Sequence, residues 1–230
     1  MSNKVSAQWF SKKGAARDRN SDACAVYSNE NYCIAIIGDA SETGSYGREF
    51  VIKWMASVVD KVANEAVLNC EVILCIMKAA HQKLRFTFIS SRACWSALFI
   101  DHQNEKTSTF SCGDCRIGKE IENGIIMWLT PVHTMANWSG EEFLQEHALS
   151  DCRHRVTRTL NSKRFVEPEI REFAYQAQAI WILATDGYWI EQKMESVPLE
   201  SLQDDASYFR VSIAVANQYV DTDANNFYCV

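Results

Sequence analysis

Three stretches of this chain read as hairpins, and a chain that pairs locally in this way builds antiparallel sheet. The first spans 23–38 about Asn29-Glu30-Asn31, the second 94–112 about Gln103-Asn104-Glu105, and the third 116–129 about Asn123-Gly124. Each has apolar or β-branched residues on both sides of a short polar turn, and Asn-Gly suits a tight primed turn. Between the first two hairpins the period changes to that of a helix. Phe50, Trp54, Val58 and Val62 recur every fourth residue over 46–66, and Val72, Ile76, Ala80 and Leu84 do the same over 71–85. Their apolar faces predict that the two helices pack as a pair. Ser139 followed by Glu142 is a capping-box pattern that predicts a short helix through Leu149. Further helices are expected over 152–160 and 205–219, and buried strands over 178–184 and 226–230. Helices segregated from hairpin-built sheet indicate the α+β class, with sheets stacked face to face and helices outside.

Composition narrows the function. With 230 residues, 47% of them hydrophobic, the chain is long enough for one domain, 1–230, with a sizeable core. The nine glycines and three prolines leave little room for linkers. Lys and Arg number 23 against 29 Asp and Glu, a net charge of −6 with no basic cluster, so nucleic acid is not an expected partner. No apolar run approaches the roughly 20 residues needed to span a bilayer, and no secretion signal opens the chain, so no membrane association is expected. Nine cysteines, an odd number, fit reduced thiols in the cytoplasm better than a disulfide framework. Cys112-Gly113-Asp114-Cys115 has the spacing of a redox dithiol or half a zinc site, but no second pair completes it.

The aspartates carry the chemistry. A turn near residue 30 puts Asp22 opposite Gly38, which makes Asp22 and Asp39 neighbours at one sheet edge. Asp114 closes the second hairpin, Asp186 follows the apolar strand ending at Thr185, and Asp223 precedes the last strand. A single Asp at such a place commonly just caps a turn. Several on one rim repel, which raises their pKa values or demands a cation, and oxygen-only ligation favours Mg²⁺ or Mn²⁺ over Zn²⁺. Arg17, five residues before Asp22, is placed to face the same rim and grip a phosphate through paired hydrogen bonds.

Six segments then follow one another in a telling order. They are Arg17-Asp18-Arg19-Asn20-Ser21-Asp22, Asp39-Ala40, Gly113-Asp114-Cys115-Arg116, Leu129-Thr130 with His133, Thr185-Asp186-Gly187, and Asp223-Ala224-Asn225-Asn226. Their sequence resembles the motifs of the metal-dependent type 2C serine/threonine protein phosphatases, in a divergent bacterial form. The resemblance runs from Gly14 to Val230. It implies a four-layer αββα sandwich with two central antiparallel sheets flanked by helix pairs, and a small flap around 131–160 beside the site. It also implies two Mg²⁺ or Mn²⁺ ions and a third, weaker one. Carried over position by position, Asp39 would bridge the two core ions, the Ala40 carbonyl would bind one, and Asp186 and Asp223 would hold the other. Asp221 is the fallback for Asp223. Asp22 would act directly or through water, Asp114 with Asp186 would hold the third ion, and Arg17 would bind the substrate phosphate. The implied reaction is hydrolysis of phosphoserine or phosphothreonine in a protein, by direct attack of a metal-bridging hydroxide. The implied partners are the phosphorylated substrate and a cognate serine/threonine kinase or its targets.

Departures from the pattern matter. Ser21 stands where Glu or Gln is frequent, Ala40 replaces a glycine, and Ser41-Glu42-Thr43-Gly44 replaces a glycine-rich run with its histidine. Val132 precedes His133 where Asp is usual, and Ala224 replaces Asn beside Asp223. None removes a core carboxylate, so an active enzyme is expected. The same departures motivate the alternative, a catalytically weak phosphatase-like domain that binds and regulates a phosphorylated partner. Trp54, Trp95, Trp128, Trp181 and Trp189 are expected in the core. His102, His147 and His154 are expected at the surface, while His133 either positions a nearby loop or satisfies a turn.

Overall fold

The computed structural model describes residues 5–41, 46–213 and 217–230. Its first elements are β1 (Val5–Lys12), β2 (Asp22–Ser28), β3 (Tyr32–Ala40), α1 (Gly47–Ala63), α2 (Cys70–Leu84), β4 (Arg92–Asp101) and β5 (Lys106–Cys112). There follow β6 (Arg116–Glu120), β7 (Ile126–Trp128), α3 (Gln145–Ala148), β8 (Leu160–Asn161) and β9 (Glu169–Ala174). The chain then forms β10 (Ile180–Ala184), a π-helical segment (Gly187–Met194), β11 (Ala206–Ile213), β12 (Asn217–Thr222) and β13 (Phe227–Cys229). The strands make two sheets, ordered β12-β1-β11-β10-β6-β7 and β13-β2-β3-β4-β5-β9, with β8 beside β4.

Burial on both faces explains the apolar runs. Along β3, Ile34 and Ile36 point to the helix pair α1 and α2, where they meet Phe50, Trp54 and Val58. The intervening Cys33, Ala35 and Ile37 point to the other sheet and meet Trp9, Trp181, Leu183 and Phe209. A strand covered on both sides reads as continuous hydrophobicity rather than alternation. Trp54 and Trp95 pack at 4.9 Å between centroids at the heart of the helix layer. Over the second sheet the outer layer is shorter. There the segment Gly187–Met194 buries its Trp189 and Ile190 against Phe143, Leu202 and Ala206.

Several expectations need correction. The sheets are antiparallel except at one edge each, where β12 runs parallel to β1 and β13 parallel to β2. Strands β11 and β12 flank β1 on opposite sides and do not pair with each other. The helix expected over 205–219 is strand β11 with part of β12, residues 214–216 lying outside the described set. Burial along β11 follows the two-residue period, with Phe209 and Val211 fully buried and Tyr208 and Arg210 only partly so. The Ser139 capping box opens no helix, because Gly140 adopts φ +82° and regular structure begins only at Gln145. Residues 152–160 hold a single 3-10 turn, Asp151–His154, before β8. The third hairpin turns through a wider loop, a 3-10 turn at Glu122–Gly124 with Ile121 donating its N–H to the Ile125 carbonyl at 2.8 Å. The terminal strand β13 is an exposed edge rather than a buried strand.

All nine cysteines are free. Cys112 faces the helix layer and Cys115 faces the layer between the sheets, so the two thiols point to opposite sides. Burial pushes the Cys112 thiol up to about 12 and Cys115 well above its usual range, which suppresses the reactive thiolate. Mild oxidation should therefore form no disulfide between them, which peptide mapping by mass spectrometry will check; recovery of a 112–115 crosslink from folded protein would contradict the geometry. No helix among the described residues is long and apolar enough to cross a membrane.

Candidate metal centre and active site

Strand register delivers the first two carboxylates. Asp22 opens β2 and pairs directly with Asp39 near the end of β3, one position from the expected Gly38 partner, because the turn leaves Ser28 facing Cys33. The Thr185 hydroxyl, at the end of β10, donates to Asp22 Oδ2 at 2.9 Å. Asp186 follows at once and accepts the Gly187 N–H at 3.0 Å, which opens the helical segment.

Asp114 sits on a tight turn after β5. Gly113 there has φ +109°, and a Cβ would overlap the Cys94 side chain, so only glycine fits. His133 braces the turn: its N–H donates to the Gly113 carbonyl at 2.9 Å, and Nδ1 lies 3.2 Å from the Gly113 nitrogen. From the other side Trp189 Nε1 donates to the Asp114 carbonyl at 2.8 Å. His133 is thus a loop-positioning residue.

Two further carboxylates, Asp204 and Asp205, precede β11 and had no place in the sequence reading. Asp205 accepts the N–H groups of Gly14 at 3.0 Å and Ser21 at 2.6 Å, which ties the Arg17 loop to the start of β2. The approach depends on Gly14, where a Cβ would overlap the backbone of Gln203 and Asp204. Arg17 Nε and Nη2 both lie 2.7 Å from Asp204 Oδ1.

These residues share one cavity of about 660 Å³, lined by Arg17, Ala40, Asp39, Asp114, Asp186, Asp204 and Asp205 among others. Asp22 lies fully buried next to Asp39. Burial, and then the charge of Asp39 and of Asp205, push the Asp22 carboxyl well above the usual range. Burial, followed by Asp186 and Asp204, does the same to Asp39, and burial with Asp204 and Asp114 does it to Asp186. Burial raises Asp114 too, with the neighbouring Cys94 thiol holding it partly down. Asp205 is pushed up to about 6, its two backbone donors offsetting part of the burial.

The donors fit a hard divalent cation. All are oxygen, and Asp22 Oδ1 and Asp114 Oδ1 are buried with no hydrogen-bond partner. Among the described residues no three of the side chains close on a common point. Asp204 and Asp205 are instead engaged with Arg17 and with backbone N–H groups.

Comparison with solved structures decides the architecture. A serine/threonine phosphatase from S. agalactiae superposes with TM-score 0.73 at 14% identity, over 91% of this chain and 100% of that one. The fold is that of the PPM-type serine/threonine phosphatases. The PPM phosphatase MsPP from Mycobacterium smegmatis, in complex with cacodylate, matches with TM-score 0.73 at 16% identity over 92% and 100% of the two chains. The catalytic domain of the phosphatase PstP, in complex with two manganese ions, matches with TM-score 0.69 at 15% identity over 90% and 97%. No family model matches the sequence, and no curated protein does.

Arg17, Asp39, Ala40, Asp114 and Asp186 line this cavity, and Asp22 is buried beside Asp39. Asp223 does not join them. Its exposed carboxylate accepts the Lys13 N–H at 2.6 Å and an Asn20 amide N–H at 2.9 Å, outside the cavity lining. The fallback Asp221 is exposed on edge strand β12. Neighbouring Asn226 is structural. It bridges Ser11 and the Asp22 carbonyl through its amide and accepts Trp9 Nε1 at 3.1 Å. Of the loop proposed to replace the glycine-rich run, Glu42, Thr43 and Gly44 lie outside the described residues.

Proposed function

We propose that this chain is an Mg²⁺- or Mn²⁺-dependent phosphoprotein phosphatase that hydrolyses phosphoserine and phosphothreonine, built as one catalytic domain with a flap around 131–160. The carrying observation is the gathering of Asp39, Asp114, Asp186, Asp204 and Asp205 around one cavity of the phosphatase fold, with Asp22 buried beside Asp39, so that five separate segments contribute. Like charges at this density, with two buried oxygens unsatisfied, favour divalent cations. Asp22, Asp39, Asp186 and the Ala40 carbonyl would hold the core ions, with Asp204 and Asp205 taking the part first given to Asp223, and Asp114 with Asp186 would hold a third. When bound, the ions supply charge neutralisation for a phosphate and acidify water. Arg17 would then orient the phosphate oxygens, with Asp204 fixing its guanidinium. Water supplies the new P–O bond, the ester bond breaks in line, and the seryl or threonyl oxygen leaves with a proton. Nine free thiols support a reducing compartment such as the cytoplasm.

The test is dephosphorylation of serine- and threonine-phosphorylated proteins with Mn²⁺ and with EDTA: release of phosphate only with the metal is expected, and release unaffected by EDTA would sink the reading. A second reading, a phosphopeptide-binding module without turnover, is favoured by Ser21 and Ala40, which line the cavity where the resembling motifs carry other residues. Tight phosphopeptide binding by calorimetry, with no phosphate released, would select it.

The reassigned ligand gives its own expectation. Asp223→Ala should keep Mn²⁺-dependent turnover within about twofold and cost about 1 kcal/mol of stability for its lost hydrogen bonds. Asp205→Asn should lose turnover by on the order of a hundredfold. Steady-state kinetics on p-nitrophenyl phosphate, with thermal melts, separates the two; the reverse ranking would restore Asp223.

A further inference from the structure

The cavity has a second, basic side that the reaction does not use. Its volume, about 660 Å³, is that of a pocket enclosing a drug-sized ligand, well beyond a single phosphate. Away from the aspartates it is lined by Arg92, His154 and Arg155. Arg92 opens β4, where its backbone accepts the Ser41 N–H at 3.0 Å and pairs across to Asn161 of β8. Arg155 lies on the returning arm of the flap. That arm is fastened by the Thr134–Val156 bridge and by the Met135 N–H donating to the Arg155 carbonyl at 2.8 Å. Both backbones are therefore held while both side chains are exposed. Among the described residues neither guanidinium forms an ion pair, whereas Arg17 is engaged with Asp204. Arg153, on the same turn as His154, places its charge near Asp114 and Asp186, which shows how closely the flap approaches the acidic end.

We propose that Arg92 and Arg155 form an anion subsite that binds a second phosphate or carboxylate on the substrate, so that the protein prefers phosphosites flanked by another anionic side chain. The inference rests on the phosphatase reading for its substrate class. Two planar guanidiniums on anchored backbones, one on the sheet and one on the flap, suit bidentate recognition of such a group. The subsite also counters the field of the neighbouring aspartates, which would repel an acidic peptide.

The test uses three peptides sharing one phosphoserine: neutral flanks, a second phosphoserine scanned across the neighbouring positions, and glutamate at the same positions. With Mn²⁺ present, the best doubly anionic peptide should exceed the neutral one about tenfold in kcat/KM. Arg92→Gln with Arg155→Gln should bring that ratio close to one. A gain with phosphate but not glutamate identifies a phosphate-selective subsite, and equal gains identify a general anion subsite. No preference in the native protein, or a preference that survives both substitutions, overturns the proposal. If no peptide is hydrolysed the phosphatase reading fails, and fluorescence anisotropy on the same peptides and variants decides the subsite by the same ratio.

Discussion

Asp39→Asn is expected to lower Mn²⁺-dependent hydrolysis of p-nitrophenyl phosphate about a thousandfold, a loss of about 4 kcal/mol in transition-state stabilisation. Asp39 stands where β3 delivers it beside Asp22, and its carboxyl is crowded by burial and by Asp186 and Asp204. Asparagine keeps the shape and removes the charge, so the register and the paired strands should survive. The same change relieves repulsion in the cation-free protein, which should melt no lower than the native chain. That combination separates a ligand from a structural residue, since a merely structural Asp39 would cost stability and leave much of the turnover. Near-native kinetics in the variant would remove the bridging role.

What the sequence disclosed and what it hid have physical reasons. Hairpins, the helix pair, three of the cavity aspartates and Asp22 beside them were legible because short-range periodicity and turn chemistry determine them. Strand β1 was missed: only Trp9 and Ser11 of its residues are fully buried, so its alternation is weak. The costlier error lay at β11. Ala206, Val211, Ala214 and Ala216 among polar residues suggest a helix, yet Tyr208-Phe209-Arg210-Val211 alternates as a strand placed between β1 and β10. Reading it as helix buried the meaning of Asp204-Asp205, which a strand start would have set on the same rim as Asp22, Asp114 and Asp186. The last motif was then sought before β13, at Asp223, whose carboxylate instead accepts from Lys13 and Asn20 outside the cavity lining. Tertiary pairing, not local preference, decides such a segment.

Cations should stabilise this protein strongly at pH 8 and weakly at pH 5. An unfolded aspartate titrates near 3.9. In the fold, burial and then neighbouring carboxylates hold Asp22, Asp39 and Asp186 well above that, and burial sets Asp205 at about 6. The folded chain therefore retains protons that the unfolded chain has released. Stability from these groups is fully present below about pH 4 and is lost as pH rises through the folded values, through about 6 for Asp205. Without metal, the melting temperature should thus fall between pH 5 and pH 8, the opposite of what salt-bridged carboxylates give. Mn²⁺ replaces the missing protons with a charge the cavity can hold. At a hundredfold excess over its dissociation constant it should contribute about 2.7 kcal/mol, or about 5–10 °C for a chain of this size. At pH 5 protons compete for the same oxygens and the gain should shrink to a small part of that. Asp39→Asn should flatten the metal-free pH dependence and lose most of the Mn²⁺ response. A melting temperature indifferent to Mn²⁺ at both pH values would mean that the aspartates share a cavity without sharing an ion.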